Sequence, residues 1–296
     1  MIVPRRFGQV LNDAIVGLGA IWKTLLVPAI VVSVPVSIAT IALFTSSGGA
    51  DFIDLIINDP ERLQTLPRDV FWELAKPFYL AMGIGTLLQL IGGVFVALVG
   101  HSAVAAKLAG TPATTGEVTR RALRRYATGF AATLLIVVTI MIMIGLGIVI
   151  WLVPALAVGT PNAASVLVAL LLLVVLLGPG VWAGVSASMT TAAIVIEDRS
   201  ALNAIRRSIQ LVRGRWWPTA GFILLVGLVG GIAVQLIQLV ALPLVAVGGG
   251  GAAVSIVSGL GILAQGVLVA AIAAMYTHWY VDLRARKEDL STESLG

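Results

Sequence analysis

The chain is 296 residues long, 59% hydrophobic and 11% charged, with a net charge of +5. A soluble domain carries about 25% charged residues, so this chain lacks the polar side chains to cover a water-facing surface, and lipid surroundings are expected. With no cysteine and two histidines it offers no disulfide framework and no protein-only zinc site, and its basic balance is read as positive-inside topology and attraction to anionic headgroups, with no nucleic-acid partner expected.

Arg5 and Arg6 precede the first apolar run, which continues to residue 44. That is too long for a cleaved signal peptide, so it is read as a spanning helix. A helix needs about 20 residues to cross the hydrocarbon core. Runs free of charge place the first span at 25–44 and the second at 78–100. Between them lies a segment, 45–72, that is acidic on balance and is expected outside the cell. The uncharged stretch 126–196 must hold two spans, broken at the polar turn Gly159-Thr160-Pro161-Asn162. The uncharged stretch 217–281 holds two more, broken at Gly248-Gly249-Gly250-Gly251. The total is six.

A seventh span is the alternative, made by cutting 163–196 at Gly178-Pro179-Gly180. Charge argues against it. Lys107, Arg120, Arg121, Arg124 and Arg125 cluster in one connection, and Arg199, Arg206, Arg207, Arg213 and Arg215 in another. Six spans put both clusters and both termini on the cytoplasmic side, as the positive-inside rule requires. The fourth helix is then long and kinked at Pro179. Pro28, Pro35, Pro154 and Pro243 are further kink candidates.

Three short amphipathic stretches, at 8–14, 116–122 and 202–208, each precede an aromatic and then an apolar hairpin. They suggest an all-α polytopic fold of three amphipathic-helix-plus-hairpin units, 1–110, 111–196 and 197–290, within one transmembrane domain. In the third, Leu202, Ile205, Ile209 and Val212 share one helical face. Asp198 or Ser200 can cap it. Such a helix is expected to lie in the membrane plane, with Arg206, Arg207, Arg213 and Arg215 at phosphate depth and Trp216 and Trp217 fixing the entry point. These six residues are candidate contacts to anionic phospholipid. The alternative is that the arginines set topology and pair with Glu197 and Asp198.

No Asp, Glu, Lys or Arg falls deep in a span, which argues against ion-coupled transport. Gln89, Gln235, Gln238 and Gln265 are the candidate intramembrane polar contacts, either between helices or in a substrate cavity. His101 and His278 stand near span ends, and an interfacial role is expected for both. No catalytic motif or convergent acid–base set is present, so no enzyme and no cofactor is expected.

The segments 197–218, 276–290 and 7–14 together resemble a family of bacterial multi-pass membrane proteins common in actinobacteria. It is similar to the membrane domain attached to some glycerophosphodiester phosphodiesterases, and more distantly to YciC-like membrane proteins. The resemblance implies a six-helix module in the bacterial plasma membrane. It carries no phosphodiesterase activity, because that chemistry sits in a separate barrel of roughly 250 residues. Two functions stay open: a structural or assembly partner of another membrane protein or of a second copy, and the transport or handling of lipid or lipid-linked substrates.

Overall fold

A computed structural model describes residues 6–111, 113–157, 163–248 and 251–288. These residues form ten helices: α1 Phe7–Ser46, α2 Gly49–Asn58, α3 Pro60–Thr65, α4 Arg68–Leu108, α5 Thr115–Ala157, α6 Ala163–Ala187, α7 Thr190–Glu197, α8 Ala201–Val212, α9 Trp216–Gly248 and α10 Gly251–Glu288. Six stretches are long and apolar enough to cross a membrane, carried by α1, α4, α5, α6 with α7, α9 and α10. The expected turn at Gly159–Asn162 lies outside the described residues, as do Gly249 and Gly250 of the glycine run.

The centre is a three-helix unit of α1, α4 and α10. Small residues let these helices touch backbone to backbone, which is how helices associate in lipid. On α4, Gly85, Gly92 and Gly100 fall on one face at intervals of about two turns. Gly85 meets Thr40, Gly92 meets Val32, and Gly100 meets the Ala270 carbonyl. Between α1 and α10, the Ser37 hydroxyl donates to the Gly259 carbonyl at 3.1 Å. Around this unit, α9 packs on α10, and α5 pairs with α6 while also touching α4. Gly129 admits Leu98, and the Tyr126 hydroxyl donates to the Ile91 carbonyl at 3.0 Å.

Aromatic clusters mark the two ends. At one, Phe222 stacks on Trp279 at 4.8 Å and Phe7 meets Trp279 edge-on at 5.7 Å. The starts of α1 and α9 and the last turns of α10 are thereby gathered together, beside α8. At the other, Phe52 packs between Phe71 and Phe78 at 5.8 and 5.4 Å, pinning α2 to α4. The segment read as an insertion thus folds into α2 and α3 and the first turns of α4.

Two local readings of the sequence are corrected. The first and second amphipathic stretches are not separate helices; each is the opening of one continuous helix, α1 or α5, and only the third stands alone. No proline or glycine separates Ala14 from Trp22 by more than Gly17 and Gly19, so nothing there interrupts the backbone ladder. The fourth span, expected as one long helix kinked at Pro179, runs helically through Pro179 and is divided in two at Ser188–Met189. Chain in lipid satisfies its own backbone even around proline. The break has a specific partner, described next.

Candidate functional site

Helix α8 is short, and its boundaries are fixed by backbone geometry. Asp198 takes a left-handed conformation (φ 53°), and Ser200 is extended, which turns the chain out of α7. The Ser200 hydroxyl makes no cap bond; Asp198 instead pairs with Arg125 of α5. At the far end Gly214 has φ 85°, a conformation glycine adopts without strain. Lys287 of α10 caps the open carbonyls there, donating to those of Gln210 and Arg213, a favourable place for a cation.

The buried face of α8 is Ala204, Ser208, Leu211 and Val212. This is rotated from the face read in the sequence. The pivot is Ser208, whose hydroxyl donates to the Ser186 carbonyl at 2.7 Å and accepts from the Met189 N–H at 3.0 Å. A helix break orphans just such groups. Ser208 supplies their partner from another helix, and so holds α8 across the α6–α7 break.

The four arginines divide. Arg207 points inward. Its guanidinium contacts both oxygens of Glu197 at 3.0 Å and also reaches Glu288. Glu197 further accepts from Arg199 at 2.6 Å and from the Tyr280 hydroxyl, and pairs with Arg284 at 3.2 Å. Arg284 pairs in turn with Glu288 at 3.1 Å. Two carboxylates and three guanidiniums thus tie the ends of α7, α8 and α10 together. Arg206, Arg213 and Arg215 are exposed and have no ion-pair partner among the described residues. Trp217 is 79% exposed beside them, while Trp216 packs edge-on against it and donates to the Trp182 carbonyl at 3.4 Å.

Leu202, Ile205 and Ile209 roof a cleft between α5 and α6, and Leu202 remains 59% exposed. Its volume is about 400 Å³, within the range of about 300–1,000 Å³ usual for ligand pockets. Leu135, Ile140 and Met143 line one wall, Trp182 and Ala183 another, and Arg206 sits at the roof.

The glutamines also divide. Gln89 and Gln265 line one small cavity of about 60 Å³ with Ser33, between α1, α4 and α10. Gln238 lies over Gly261 of α10, which is a packing contact. Gln235 is exposed on α9, one turn beyond Gly231 and two beyond Gly227.

His101 is corrected from an interfacial to an interior residue, with 1% of its surface exposed. Its ring bridges Thr277 (Nδ1 to Oγ1, 2.9 Å) and Thr191 (Nε2 to Oγ1, 2.8 Å). The Thr277 hydroxyl spends its proton on the Ala273 carbonyl at 3.0 Å. Nδ1 must therefore donate to Thr277, and Nε2 of the neutral ring accepts from Thr191. This is a polar lock between α4, α7 and α10. His278 packs against Gly17 of α1, where any larger residue would strike the ring.

Helical spans, small-residue contacts and an ion-paired amphipathic helix at one end are the architecture of a multi-pass helical membrane protein. Within that class the chain belongs to the family defined by a domain of unknown function, DUF7847, whose model matches residues 2–283. No curated protein and no solved structure matches it.

Proposed function

We propose that this protein is a non-enzymatic lipid-handling module of the bacterial plasma membrane, with both termini cytoplasmic and α8 against the inner leaflet. The carrying observation is the set Arg206, Arg213 and Arg215, exposed and unpaired among the described residues beside exposed Trp217. Each such arginine gains on the order of 1 kcal/mol near an anionic surface. Its planar fork suits phosphate better than an ammonium does. Arg207 is left out of the lipid set, because Glu197 and Glu288 occupy it. The three-unit organisation, 1–110, 111–196 and 197–290, belongs to this reading: each hairpin is led into the bilayer by an amphipathic stretch.

The test is lipid retention, measured by native mass spectrometry, of the Arg206→Gln/Arg213→Gln/Arg215→Gln variant. Loss of bound phosphatidylglycerol and cardiolipin supports the reading. An unchanged anionic lipid load sinks it.

A second reading, a helix-to-helix partner in the membrane, is favoured by one feature. Gly227, Gly231 and Gln235 form a stripe on the outer face of α9 with open space before both glycines. Small residues four apart let a second helix approach, and a glutamine in lipid gains a hydrogen bond there. Disulfide trapping of Gly231→Cys in membranes, with or without a co-expressed second copy, distinguishes a homo-oligomer from a different partner.

A further inference from the structure

We infer that the cleft beneath α8 holds one acyl chain of an anionic phospholipid, with Arg206 taking the phosphate. The inference rests on the lipid reading above and goes beyond it: surface attraction needs no cavity, whereas here a tail leaves the bilayer and enters the protein. Three observations carry it. The walls suit hydrocarbon. Leu135, Ile140, Met143, Trp182, Leu202 and Ile205 are apolar or nearly so, and the one hydroxyl on the α5 wall, Thr139, is returned to its own helix at the Leu135 carbonyl (2.7 Å). A polar ligand would find few partners there. The cleft also has a mouth toward the outside, since Leu135, Trp182 and Leu202 are all exposed. Its depth along α5, from Leu135 to Met143, is about 12 Å by helical rise, enough for a substantial length of chain.

The third observation is charge. Arg206 is the charged residue lining the cleft, and it has no counter-ion among the described residues. Its neighbour Arg207 is saturated by carboxylates. The same helix therefore presents one neutralised and one unneutralised guanidinium in adjacent positions, and the unneutralised one stands at the apolar opening. A phosphate esterified to a long chain satisfies both at once: its oxygens accept from the guanidinium fork, and its tail removes the cleft walls from water or from loosely packed lipid. A zwitterionic headgroup brings its own cation to the same place and loses most of that attraction. The occupant is thus an anionic phospholipid.

The experiment uses the full chain in phosphatidylcholine vesicles with a trace of phosphatidylglycerol whose tail carries a diazirine. After irradiation the labelled peptides are mapped by mass spectrometry. Labels are expected to concentrate on residues 135–143, 182–187 and 202–209, and a phosphatidylcholine probe with the same tail should label them far less. Ala183→Trp fills the cleft and should abolish this labelling; Ala183→Leu, a smaller intrusion, serves if the tryptophan variant does not fold. Arg206→Gln should weaken it about fivefold. Labels spread evenly over the outer faces of α5, α6 and α9, or equal labelling by both headgroups, would overturn the inference. Undiminished labelling in a folded Ala183 variant would do the same. If anionic lipid retention responds to the triple arginine variant while cleft labelling is absent, the lipid reading stands and the cleft inference falls. If retention is unchanged in that variant, the reading itself has failed.

Discussion

Arg207 and Glu197 face each other in a two-point contact, with Nε 3.0 Å from both carboxylate oxygens and Nη2 3.0 Å from one of them. The side chains are only 14% and 9% exposed. An arginine that sequence alone groups with its neighbours on a basic face is therefore an internal tie, and the cost of losing it is that of stranding a buried charge.

Arg207→Gln and Glu197→Gln should each lower the stability of the detergent-solubilised protein by about 3 kcal/mol. The double variant should cost less than the sum, because the singles share one loss. Thermal unfolding followed by circular dichroism measures all three. Arg213→Gln, on an exposed residue, should leave the midpoint in place, and a shift as large as that of Arg207→Gln would mean that Arg207 is not special.

Ser208→Ala should cost about 2 kcal/mol, since it removes the acceptor of the Met189 N–H and the donor to the Ser186 carbonyl together. Ser200→Ala is the matched control. Ser200 stands at the start of the same helix but makes no cap bond, so its loss should be nearly silent in the same unfolding assay.

Gly100→Ala should destabilise by about 1–3 kcal/mol through overpacking. The added methyl would lie 2.9 Å from the Ala273 side chain and closer still to the Ala270 carbonyl, which cannot move without α10. Gly93→Ala, on the same helix with nothing near it, should be neutral or stabilising by up to about 1 kcal/mol from helix propensity. Equal effects of the two substitutions would contradict the close approach of α4 and α10.

Single cysteines at Leu55 and Gln210, placed in the otherwise cysteine-free chain, should react with a membrane-impermeant maleimide from opposite faces. Gln210 should label only after the inner face is opened. Labelling of both in intact cells would reverse the proposed orientation of one end.

The six spans were readable because charge-free runs are a one-dimensional signal: a bilayer excludes ionised groups residue by residue, with no need to know what packs on what. The glycine abundance was readable for the same reason, although which glycines touch was not. The faces of α8 were harder to see. Periodicity selects Leu202, Ile205, Ile209 and Val212 as the greasy side, yet burial also follows Ala204 and Ser208, small residues that let α8 lie close over the α6–α7 break. A hydropathy pattern ranks by apolarity and so passes over them. The break itself escaped because Pro179 is the louder signal, while Ser188–Met189 depends on a hydroxyl supplied from Ser208. His101 was misplaced because its partners, Thr191 and Thr277, lie far off in the chain, and nothing local distinguishes a buried histidine from an interfacial one. The inward turn of Arg207 is set by Glu197 and Glu288, which end two different spans.

The contact between α1 and α10 also bears on how the protein is made. Ser37 and the Gly259 carbonyl that receives its hydrogen bond are separated by 222 residues. At the speed of a ribosome, about 5–20 residues per second, the first helix waits roughly ten to forty seconds in the bilayer before the last one exists. During that interval the face of α1 bearing Ser33 and Ser37 has no α10 to close on. The α5–α6 hairpin, by contrast, can form as soon as its second arm emerges. A nascent chain that ends before α10 therefore leaves the α10-facing side of α1 open to lipid, and the central unit closes only when the last helix is made.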